Sequence, residues 1–87
     1  MWFVYILYSQ KDDNLYVGCT VNLEKRIIKH KKGLVVSTKE RRPLILIHSE
    51  EFKNKGKAFE RERFLKSLWA GRFKKKIKED YLAKSIR

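Results

Sequence analysis

The residues most able to do chemistry together in this chain are Glu62, Lys66, Arg26, His30, Tyr5 and Tyr16. Glu62 stands out once the segment around it is placed on a helix at 100° steps from Ala58. Phe59 then lies at about 100°, Leu65 at about 340° and Trp69 at about 20°, while Glu62 at about 40° and Lys66 at about 80° fall inside the same apolar arc. Glu60, at about 200°, falls outside it. A carboxylate turned toward a core is costly unless it is paired, hydrogen-bonded or bound to a metal. An i,i+4 Glu62–Lys66 ion pair at the core edge would satisfy it without any further role.

Arg26 and His30 are also i,i+4 neighbours, at about −60° and −20° from Leu23, so they flank the buried side of their helix. A histidine in that position is commonly a hydrogen-bonded structural residue, and an arginine a contact for phosphate or carboxylate. Tyr5 and Tyr16 fall in adjacent strands and share a sheet face if the hairpin is regular. Aromatic residues are common in strands, so the pair has a plain structural reading too.

These side chains need elements to position them. Residues 2–8 run aromatic and β-branched into the polar stretch Ser9-Gln10-Lys11-Asp12-Asp13-Asn14, and residues 15–19 resume strand character, which predicts a hairpin. Thr20 and Asn22 offer N-cap oxygens, and Leu23, Ile27 and Ile28 have helical spacing. Gly33 closes a first helix over about residues 22–32. Residues 34–42 show no period and read as a loop with a basic tip, Arg41-Arg42. Residues 43–52, containing Leu-Ile-Leu-Ile-His, read as a third strand whose first residue, Pro43, is tolerated there. Asn54 and Gly56 precede a second helix to about Ala70, closed by Gly71. Residues 72–86 form a third helix, with Phe73, Ile77, Tyr81 and Leu82 on one stripe. The expected fold is α+β: a three-stranded antiparallel sheet flanked by three helices, in the order ββαβαα.

With 87 residues, the chain has room for one small domain, taken as residues 1–87. Hydrophobic residues make up 43% and aromatics 13%, too many for a disordered basic tail. The formal net charge is +12, concentrated in the helical segments: residues 22–42 carry +6 and residues 53–78 carry +9. A polyanionic partner is implied. No run approaches the ~20 apolar residues of a bilayer span. The N-terminus lacks a basic leader and cleavage site, and the single Cys19 cannot form an internal disulfide, so a reducing cytoplasmic location is expected. One Cys and two His cannot build a structural zinc site, and there is no phosphate-binding P-loop or Gly-x-Gly-x-x-Gly. A Cys19–His30 or Cys19–His48 nucleophile pair lacks any marked oxyanion site.

Val4-Tyr5, Tyr16-Val17-Gly18, Arg26, His30 and Glu62 together resemble the GIY-YIG nuclease superfamily. The spacing is specific: 11 residues from Tyr5 to Tyr16, 10 to Arg26, 4 to His30, and Ala58-x-x-x-Glu62-x-x-x-Lys66 in the following helix. The likeness spans about residues 2–75 and is closest to the short stand-alone bacterial members. Phe3 stands where the first motif has its glycine, Cys19 where some larger relatives carry a lysine, and no asparagine follows Asn54. The resemblance implies a metal-dependent endonuclease acting on DNA. Glu62 would ligate a single Mg²⁺ or Mn²⁺ with water and phosphate oxygens. Tyr16 or Tyr5 would orient or deprotonate the attacking water, His30 would assist or act as the base itself, and Arg26 would stabilise charge on the phosphate. Lys25, Lys29, Arg41, Arg42 and Lys66 would contact the nucleic acid, mainly through its backbone. No membrane contact and a monomer are expected. A non-catalytic DNA- or RNA-binding module on the same scaffold is the alternative.

Overall fold

The computed structural model describes residues 1–85. β1 (Trp2–Ser9) lies at the centre of a sheet ordered β2-β1-β3, antiparallel to both β2 (Leu15–Thr20) and β3 (Leu44–Phe52). That position explains its unbroken apolar run, because a strand covered on both faces has no solvent side to alternate with. Every residue from Val4 to Ser9 is buried. The hairpin turn after β1 is tied from both sides. The Ser9 hydroxyl accepts from the backbone of Lys11 and Asp12 and donates to the Arg41 carbonyl at 2.6 Å.

α1 (Leu23–Lys31) starts at Asn22, whose side chain caps the Lys25 N–H at 3.0 Å, and ends before Gly33, which adopts the left-handed φ of +77° that terminates helices. It covers one sheet face, where Leu23 and Ile27 pack with Tyr5, Leu7, Leu44 and Leu46. The other face buries Val4, Ile6 and Val17 under α2 (Lys55–Lys66) and α3 (Gly71–Ser85), through Ala58, Leu65, Ala70 and Ile77. An irregularity in the β1–β3 register pairs Ile6 with His48 and Leu7 with Leu46. The extra residue, Ile47, therefore joins the α2 side, as His48 does through its edge-on contact with Phe73 at 5.7 Å.

The ββαβαα order matches the expectation, but several boundaries move. β3 begins at Leu44, Gly56 lies inside the first turn of α2, and the loop after α1 contains a single 3₁₀ turn, Lys39–Arg41. The largest correction concerns the second helix, which ends at Lys66 rather than near Ala70. Ser67 turns to an extended ψ of 165° while its hydroxyl and N–H both donate to the Phe64 carbonyl, satisfying the helix end locally. A 3₁₀ turn over Leu68–Ala70 follows, and Gly71, with helical angles, opens α3 instead of closing α2. Trp69 accordingly leaves the apolar arc assigned to it and is 88% exposed. The third helix was expected to reach Ile86, which lies outside the described residues.

Candidate active site

Strand pairing sets the first part of the site. Tyr5 sits opposite Gly18, and Tyr16 is two residues from Gly18 along β2, so both phenols project from the face that α1 covers. Their ring centroids are 6.4 Å apart. Gly18 is required by close approach: a Cβ there would stand 2.3 Å from the Tyr5 hydroxyl and 2.4 Å from Cζ. The Tyr5 ring thus lies directly across the β2 backbone and is fully buried.

α1 supplies the second part. His30, in its last turn, is fully buried, with Nε2 2.8 Å from the Tyr5 hydroxyl and Nδ1 2.7 Å from Thr38 Oγ1. Its ring meets Tyr16 edge-on at 5.3 Å. Burial, then the positive charge of Arg26, pushes its pKa down to about 4, so the imidazole is neutral at pH 7. A neutral ring donates through one nitrogen and accepts through the other, and the hydroxyls of Tyr5 and Thr38 can serve either role. One turn earlier, Arg26 sets its guanidinium beside the Tyr5 phenol. Burial raises the Tyr5 pKa, and hydrogen bonding from Arg26 opposes that rise without cancelling it. Arg26 Nε is buried and has no hydrogen-bond partner among the described residues. Such an orphaned donor is costly without an acceptor.

Glu62 approaches from the opposite layer. Its carboxylate is 24% exposed and pairs with Lys66 Nζ at 3.2 Å, the i,i+4 contact that helical spacing allows. Its charge is nevertheless felt at both Tyr5 and Cys19. β2 is an edge strand of the sheet, and α2 packs against it as well as against β1. Burial, followed by the Glu62 charge, raises the Cys19 thiol, which therefore stays protonated. Cys19 and His48 are on strands separated by β1, and His48 is bound to Glu50 at 2.7 Å.

The basic residues divide. Lys25 and Lys29 are exposed and line, with Thr20, Asn22 and Arg26, a shallow pocket of about 100 Å³. Lys66 stands beside Glu62. Arg41 and Arg42 are engaged elsewhere. Arg41 holds Asp12 at 2.7 Å, drawing that carboxyl down to about 2, and Arg42 packs over Gly33 while donating to the Lys39 carbonyl. Thr38 was missed by sequence reasoning. It lies in a segment without periodicity, and only its burial and its contact with His30 mark it.

Among the described residues, no group of three or more His, Cys, Asp or Glu side chains could hold a metal ion. Glu62 is a single, solvent-reached oxygen donor. It fits a hard divalent ion that keeps most of its shell as water and phosphate oxygen, and does not fit a closed protein cage.

The family described as GIY-YIG catalytic domain matches residues 1–78. A UPF0213 protein of Clostridium perfringens is 41% identical over 92 residues, an alignment that covers 99% of this chain and 98% of that relative. UPF0213 proteins of Natronomonas pharaonis and Staphylococcus haemolyticus are each 42% identical over 67 residues, covering 76% of this chain and 78% and 80% of their own lengths. No solved structure matches. With the motif tyrosines facing each other across Gly18 and the match running from the first strand into the last helix, the chain belongs to the GIY-YIG family, alongside the UPF0213 proteins.

Proposed function

We propose that this protein is a divalent-metal-dependent endonuclease that hydrolyses phosphodiester bonds in DNA, directed by backbone and structure rather than by base sequence. The observation that carries this reading is the convergence of Tyr5, Tyr16, Arg26 and His30 on one face, with the charge of Glu62 acting on Tyr5 from the other layer. Glu62 would hold a Mg²⁺ or Mn²⁺ ion, which when bound supplies Lewis-acid stabilisation of phosphate charge. Arg26 offers the solvent-facing part of its guanidinium to a phosphate oxygen from the pocket it shares with Lys25 and Lys29, which hold the flanking backbone. Tyr16 is only half-buried and orients the attacking water. Tyr5 is sealed from solvent and fixes the geometry around it. With a pKa of about 4, His30 is a weak proton acceptor at neutral pH, so it acts chiefly by holding Tyr5.

The Glu62–Lys66 ion pair favours a second reading, a nucleic-acid-binding module without catalysis, since Lys66 already satisfies the carboxylate. Plasmid cleavage separates the two. In Mn²⁺ or Mg²⁺ the protein should convert supercoiled DNA to nicked or linear form, and Glu62→Ala should lower that rate at least ~10²-fold while DNA binding persists. Binding without cleavage over a range of DNA structures, unchanged in Glu62→Ala, would establish the binding module instead.

A further inference from the structure

The 3₁₀ turn between α2 and α3 holds two large apolar side chains out in solvent. Leu68 is 99% exposed and Trp69 is 88% exposed, although Leu65 before them and Ala70 after them are fully buried. The turn is therefore anchored at both ends, and the pair projects from a fixed base rather than a loose loop. Ser67 tightens that base by donating twice to the Phe64 carbonyl. Isolated surface apolar residues need no explanation, but an adjacent Leu-Trp pair with almost no intramolecular cover is unusual for a residue type that buries so much area.

The surroundings decide what such a pair would meet. From Arg63 to Lys78 the chain carries seven cations and no acid. Arg63, Lys66, Arg72, Lys75 and Lys76 are all exposed. Lys66, two residues before Leu68, is the partner of Glu62, so the turn continues directly from the helix end that bears the site carboxylate. A second protein docking on an apolar pair this small would need acidic groups to match every flank. A nucleic acid meets both demands at once, phosphates for the cations and a base face for the indole.

We propose that Trp69, supported by Leu68, stacks on a nucleobase that is unpaired or unstacked, which makes DNA interrupted at a bulge, branch or end the preferred substrate class. This rests on the nuclease reading for its place beside the cleavage site, but its test does not. Stacking on one base is sequence-tolerant, because every base offers a π-face, and this suits a chain with no evident helix for reading base edges.

The test measures binding without divalent ions, so that affinity is read apart from cleavage. The probes are a fully paired duplex and the same duplex carrying a single unpaired base. The wild-type protein should prefer the interrupted duplex by about tenfold. Trp69→Ala should remove that preference while binding to the continuous duplex changes less than about twofold, and Trp69→Phe should retain most of it. In a Trp2→Phe background, the remaining indole fluorescence should be quenched on adding the interrupted duplex. Equal affinity for both probes, or a preference that survives Trp69→Ala, overturns the proposal. So does self-association of the free protein that Trp69→Ala abolishes, since a second copy would then be the occupant. Cleavage in Mn²⁺ is scored separately: a protein that never cuts but shows the Trp69-dependent preference retains this inference and loses only the nuclease reading.

Discussion

The two faces of the sheet bury comparable lengths of β1 with opposite chemistry. Under α2 and α3, Val4, Ile6, Val17, Ala58, Leu65 and Ala70 make an apolar layer in which, among the described residues, no fully buried polar side chain takes part, the His48–Glu50–Arg61 contacts being only half-buried. Under α1, the same strand presents Tyr5 to His30, and His30 to Thr38, a buried hydrogen-bonded line with the Arg26 guanidinium at its mouth. Apolar contacts are non-directional and tolerate adjustment, whereas a buried polar chain holds only if each member is satisfied. The difference teaches where the molecule keeps stability and where it keeps geometry: the α2 layer supplies burial, and the α1 layer spends some of it to place phenols and a guanidinium.

The sharpest way to test that division is to damage the apolar layer. Leu65→Ala removes a fully buried side chain and should destabilise the protein by about 2–5 kcal/mol in chemical denaturation. Below the unfolding transition, cleavage per folded molecule should stay within about threefold of wild type. A loss far beyond the unfolded fraction would break the comparison.

The α1 layer should respond to pH where the apolar layer cannot. His30 has its pKa lowered from 6.5 to about 4 by burial and the Arg26 charge, so the folded state binds fewer protons than the unfolded chain between those values. Stability is therefore full above about pH 6.5 and falls as pH drops through the window toward 4, by roughly 3 kcal/mol in all. His30→Gln should flatten the unfolding free energy across that window, and an unaltered slope would show that another group titrates there.

The smallest of these effects concerns Thr38. Thr38→Val keeps the volume but leaves His30 Nδ1 without its 2.7 Å partner, costing about 1–3 kcal/mol. Thr38→Ser should restore most of it. If Thr38→Val unfolds no more easily than wild type, the hydrogen-bonded line is not what holds the α1 layer.

Much of this architecture was legible before any coordinates. The continuous apolar run of β1, the Asn22 and Asn54 caps, and the Tyr5, Tyr16, Arg26 and His30 spacing are local patterns with local causes. Glu62 was legible as an anomaly, and its Lys66 partner came from the same helical arithmetic. The contact of Arg41 with Asp12, 29 residues away in sequence, was not legible, because it depends on how the loop after α1 returns to the hairpin turn. The end of α2 was misplaced because Leu68 and Trp69 continue an apolar rhythm that the Ser67 turn interrupts.

The sequence by itself determined which segments are strands and helices, which family the spacing belongs to, and that one carboxylate would sit at the border of a core. Those follow from periods of 2 and 3.6 residues and from capping chemistry within a few positions of each end. Only the tertiary structure decided that Tyr5 is sealed while Tyr16 meets solvent, that Thr38 completes the His30 contacts, and that Trp69 stands outside the core. Each of these depends on how an aperiodic turn or loop returns to the sheet, where burial and hydrogen bonding between distant residues outweigh any local preference.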